Sequence, residues 1–148
     1  MRKSLAFVVL AVVLAGCTLG SAPTPVRPTT DPTGGVAILF QRSGGLLPSE
    51  LQWAVYPDGR VVTGKGEEES VPAGQVQALL AELNSLGLFE LQDSYGLSAV
   101  CNDCYTYSIT VNDGGRVKTV IAVEGAADTP DTVLAIIDAL NTFLSGTP

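Results

Sequence analysis

Tyr105-Thr106-Tyr107-Ser108-Ile109-Thr110-Val111, then Asn112-Asp113-Gly114-Gly115, then Arg116-Val117-Lys118-Thr119-Val120-Ile121-Ala122-Val123 is the stretch that decides the fold. Tyr105, Tyr107, Ile109 and Val111 alternate with Thr106, Ser108 and Thr110, which is the period of a half-buried strand. Asn-Asp-Gly-Gly is hairpin-turn chemistry, because tight two-residue turns demand positive φ and glycine accepts it without a Cβ penalty. Val117, Thr119, Ile121 and Val123 mark the return strand.

The same grammar recurs upstream. Val36 to Gln41 reads as an apolar strand, with Arg42-Ser43-Gly44-Gly45 and a loop to Pro48 after it. Leu51, Trp53 and Val55 alternate with Gln52, Ala54 and Tyr56. Pro57-Asp58-Gly59 then makes a turn, and Arg60 to Thr63 returns as a second hairpin. Lys65 to Ser70 reads as a charged, exposed loop. Pro72 opens a helix whose Val76, Leu79, Leu80 and Leu83 form one apolar stripe, extended by Leu86 and ended at Gly87. After Leu88-Phe89-Glu90-Leu91 and the 105–123 hairpin, Thr129-Pro130 caps a last helix. Its buried face carries Val133, Ile136, Ile137, Leu140 and Phe143 or Leu144. The order strand, hairpin, helix, hairpin, helix predicts an α+β two-layer domain: an antiparallel sheet of about five strands with two helices packed on one face.

That domain occupies 36–148. Before it, Met1-Arg2-Lys3-Ser4 is a short basic segment and Leu5 to Leu14 an unbroken apolar run, too short to span a bilayer and of the length of a signal-peptide core. Leu14-Ala15-Gly16-Cys17 looks like the lipobox of bacterial lipoproteins. It predicts a signal peptide over 1–16, acylation of Cys17, and attachment to the lipid bilayer of the cell membrane or outer membrane, outside the cytoplasm. Thr18 to Gly35, with Pro23, Pro25, Pro28 and Pro32 among Thr, Ser and Gly, has almost nothing to bury, so 17–35 reads as the lipidated cysteine and its tether.

Composition excludes several functions. The 148 residues hold no His, which removes Ser-His-Asp and Cys-His catalysis and the commonest zinc sets. Eight Lys+Arg against 15 Asp+Glu give a net charge of −7, which argues against nucleic acid as partner. No cofactor or metal is expected: Glu67-Glu68-Glu69 has no calcium-loop spacing, no serine sits in a nucleophile-elbow context, and nothing nominates a carboxylate pair. The expectation is a binding module rather than an enzyme.

Two constellations stand out. Cys101-Asn102-Asp103-Cys104 is either a structural disulfide or the motif of a thiol–disulfide oxidoreductase. The motif precedes a strand instead of opening a helix, and Asp103 between the thiols raises their pKa, so the context favours the clip. Arg42-Ser43-Gly44-Gly45 reads as a plain tight connection or as a contact loop with exposed N–H groups.

Arg42-Ser43-Gly44-Gly45, the helix over 73–86, the strand 105–111 leading to Asp113-Gly114-Gly115, and the final helix after Pro130 together resemble the emfourin-like family of small bacterial metallopeptidase inhibitors. The resemblance implies an inhibitor of thermolysin-like metallopeptidases that blocks an exported enzyme through exposed loops, with Arg42, Ser43, Gly44 and Gly45 as its contact loop. The lipobox, tether and C-x-x-C are additions to that pattern. The alternative is a structural or assembly lipoprotein of the cell envelope.

Overall fold

A computed structural model describes residues 35–47, 49–98 and 101–146. The predicted signal peptide, Cys17 and all of the tether but Gly35 lie outside these residues. The described residues form an α+β domain with a seven-strand, mostly antiparallel sheet and two helices. The strands are β1 (Ile38–Gly44), β2 (Ser49–Val55), β3 (Arg60–Thr63), β4 (Glu68–Ser70), β5 (Ser94–Tyr95), β6 (Tyr105–Asp113) and β7 (Arg116–Val123). The helices are α1 (Ala73–Ser85) and α2 (Asp131–Ser145). The sheet order is β4-β3-β2-β1-β6-β7-β5, and only β5 runs parallel to its neighbour.

Both hairpins form where turn chemistry places them. At the β6–β7 turn Gly114 and Gly115 hold φ of 60° and 89°, and Asp113 faces Arg116 across it. At the β2–β3 turn Gly59 sits at φ 99°, Asp58 accepts a bond from the Arg60 N–H, and the Gly59 carbonyl accepts one from Val71.

Register decides which side chains are inside. Ile38 faces Val55 and Val111; Phe40 faces Trp53 and Ile109; Ile109 faces Val120. These residues share one sheet face and join the buried stripe Val76, Leu79, Leu80 and Leu83 of α1, and Val133, Ile136, Ile137 and Leu140 of α2, in a single cluster. Leu88, in a 3-10 turn after α1, completes it. The two-residue turn sets odd positions of β6 against even positions of β7, so Val120 and Ala122 are buried. Thr119, Ile121 and Val123, which the alternation had picked out, lie on the other face.

Three expectations are corrected. The sheet has seven strands, not about five. β4 arises inside the supposed exposed loop Lys65–Ser70, because Glu68–Ser70 lines up beside β3 as an edge, with Glu68 3.9 Å from Arg60. β5 is a two-residue pairing that carries Tyr95 into the core. The last helix has Pro130 as N-cap with no side-chain capping bond, and the Thr129 hydroxyl is buried without a partner among the described residues.

Candidate functional site

Arg42, Ser43 and Gly44 belong to strand β1 rather than to a loop, and only Gly45 lies in the turn. Both flanking strands hold them: Arg42 pairs with Leu51 and Tyr107, Ser43 with Glu50 and Thr106, and Gly44 with Ser49 and Tyr105, so the ladders run on past the apolar residues. Arg42 lies on the helix-facing side. Its guanidinium lies 4.7 Å from the Tyr105 ring centroid, and its buried Nε has no partner among the described residues. The neighbouring rings form a rank, Tyr105 to Tyr107 at 6.4 Å, Tyr107 to Phe40 at 6.1 Å and Phe40 to Trp53 at 5.7 Å. Burial first, then the Glu124 carboxylate, push the Tyr107 hydroxyl above its ordinary pKa, against the opposing pull of Arg42.

The glycines have a steric role. Gly44 (φ 97°) would place a Cβ 2.6 Å from the Cys104 carbonyl oxygen, and Gly45 (φ 87°) would place one 2.6 Å from the Tyr105 ring. The Gly45 N–H donates to that same Cys104 oxygen at 3.2 Å. Cys101 and Cys104 are joined by a disulfide, with Cα atoms 5.5 Å apart. The β1–β2 tip is therefore pressed onto a covalently closed turn, the close approach that glycine permits.

Of the four predicted contact residues, only Ser43 offers an exposed side chain. The residues that the tip presents outward are its next two: Leu46 is 79% exposed and Leu47 83%. Their signal in the sequence was two leucines between a glycine pair and a proline, outside any alternating pattern. The two segments that adjoin the tip each carry an exposed acidic residue, Asp103 in the disulfide turn and Glu50 on β2.

Beside the tip is a cleft of about 450 Å³ between the first half of β2 and the turn after β3. Leu51 and Trp53 supply its apolar wall, and Glu50, Lys65 and Glu67 its charges. Trp53 stacks on Phe40 and is only half-buried.

Among the described residues no group of three His, Cys, Asp or Glu is placed to hold a metal ion, and no helix is long and apolar enough to cross a membrane. No protein-family model matches the chain, and no curated protein matches it.

Proposed function

We propose that the chain is a lipid-anchored, extracytoplasmic binding module, not an enzyme, that docks on a protein partner through the β1–β2 tip. The observation that carries this reading is the adjoining pair Leu46 and Leu47, held in water on a tip that is fixed from behind by Gly44, Gly45 and the Cys101–Cys104 turn. Burying a leucine fully is worth about 1.5–3 kcal/mol, and a preformed tip loses little entropy on docking. The acidic rim of Glu50 and Asp103 selects a partner whose apolar pocket is edged by Lys or Arg, and disfavours insertion among anionic headgroups. The two-layer plan, with both helices on the same sheet face, supports the tip as a rigid projection.

The Leu14-Ala15-Gly16-Cys17 sequence supports anchoring through acylated Cys17, and the resemblance to the emfourin-like inhibitors supports an exported thermolysin-like metallopeptidase as the partner. In this reading Cys101–Cys104 is a structural clip. The test is a titration of such peptidases with the purified protein, following residual activity. One-to-one, saturable inhibition is expected, weakened at least tenfold by Leu46→Ser or Leu47→Ser. Full activity at stoichiometric protein sinks the peptidase reading.

A second reading, an envelope assembly lipoprotein, draws on the sheet face away from the core. There Gln41 bonds Gln52 and Thr110 bonds Thr119 across strands, beside the partly exposed Leu39, Ile121 and Val123, a mixed polar and apolar surface suited to a scaffold. Recovery of a scaffold protein rather than a peptidase on Cys17-anchored bait favours it.

A further inference from the structure

We propose that the exposed edge of β2 receives an extended segment of a partner protein as an added strand, with basic residues set opposite Glu50 and apolar residues set against Leu51 and Trp53. This rests on the reading of the chain as a protein-binding module and adds a second contact with its own chemistry.

Three observations carry it. First, β3 ends at Thr63, opposite Trp53, so β2 from Ser49 to Gln52 has no neighbouring strand on that side among the described residues. The Gln52 carbonyl accepts the Gly64 N–H at 2.8 Å on this edge. Backbone groups two residues apart in a strand point the same way, so the Glu50 N–H and C=O also point outward, unpaired among the described residues. An unpaired strand edge is a template for another chain.

Second, the edge borders a space of about 450 Å³, large enough for side chains of an added strand and walled by Leu51 and the indole of Trp53. Third, the alternation of β2 sorts that segment. Trp53 shares its face with Phe40 in the core, whereas Glu50 pairs with Ser43 on the opposite face. Residues of an added strand then alternate likewise, apolar beside Leu51 and Trp53, cationic beside Glu50, where opposite charges directly across strands attract. Glu67 adds a second carboxylate against the single cation Lys65, and the whole chain is acidic.

Trp53 is the one tryptophan of the sequence, so its fluorescence reports the site directly. The full chain, in mild detergent, is titrated with an acetylated and amidated hexapeptide of alternating arginine and valine. A saturable change in Trp53 emission is expected. Glu50→Pro removes the outward N–H without touching the ladder to β1, and should weaken binding at least tenfold while the melting curve stays within a few degrees. A peptide N-methylated at its central residues should bind at least tenfold less tightly to the unaltered protein, which keeps the test independent of that variant's folding. No saturable change overturns the proposal. So does equal binding of the N-methylated or a glutamate–valine peptide, or saturation by a chitin oligosaccharide in place of the peptide. The peptidase titration reads the leucine tip and this one reads Trp53, so each can fail alone.

Discussion

Replacing Gly44 by alanine separates two costs that the β1–β2 tip combines. A non-glycine residue held at φ 97° is strained by about 1–2 kcal/mol. The new methyl also falls 2.6 Å from the Cys104 carbonyl oxygen, where ordinary contact begins near 3.4 Å. That oxygen is backbone, closed in by the disulfide, and receives the Gly45 N–H. Moving it aside loosens that bond, worth about 0.5–1.5 kcal/mol net. Gly44→Ala should therefore cost about 1.5–3.5 kcal/mol. Gly66 is the control: its φ is 83° and nothing lies within 4 Å of a Cβ built there. Gly66→Ala should lose only the strain, about 1–2 kcal/mol. Urea unfolding of both variants, at constant m, gives the two values. Reduction of Cys101–Cys104 lets Cys104 give way, so the difference between the variants should narrow in dithiothreitol. Equal losses for Gly44→Ala and Gly66→Ala in the oxidised protein would refute the packing of the tip against the disulfide turn.

Phe40→Ala removes the ring between Trp53 and Tyr107, 1% exposed, and should cost about 3–5 kcal/mol by denaturant unfolding. Replacing both Cys101 and Cys104 by serine opens a very short loop and should cost about 2 kcal/mol, with thermal melting as the readout. Tyr107 holds its proton more tightly folded than unfolded, so its contribution is complete below its ordinary pKa near 10 and is lost as pH rises through the higher folded value. Unfolding free energy should fall on raising the pH above about 10, and fall less steeply in Tyr107→Phe. Leu46→Ser should leave stability within about 0.5 kcal/mol of the parent, because the side chain is already in water.

The parts of the fold legible in sequence are those specified locally. Asn112 to Gly115 and Pro57 to Gly59 carry their own turn geometry, and the stripes of α1 and α2 fall on the residues that are buried. What escaped is set by partners distant in the chain. Glu68–Ser70 has no apolar alternation and becomes a strand only because β3 offers it an edge. Ser94–Tyr95 is too short to carry a period and is positioned by β7. Arg42 to Gly44 look like loop residues until β2 on one side and the distant β6 on the other continue their ladders beside them. The inward face of β7 depends on the register that the two-residue turn imposes, Ile109 against Val120 and Tyr107 against Ala122, and alternation within the strand alone does not specify it. At the candidate site, the glycine pair was visible and its purpose was not, since that depends on Cys104 and Tyr105. The cleft beside Trp53 draws on two separate segments, and no spacing within either one announces it.

The position of β1 has a consequence for the order in which the chain can fold. It meets β2 after a short turn, but its other edge waits for β6, on the far side of α1 and most of the intervening chain. A chain emerging from its N-terminus can close the early hairpins, yet Ile38 and Phe40 keep one flank open until Ile109 and Val111 arrive. Loop-closure entropy makes that late pairing the slow event. An incomplete chain thus holds Phe40, Val55, Val61 and the apolar stripe of α1 without the half of the interior that β6, β7 and α2 supply.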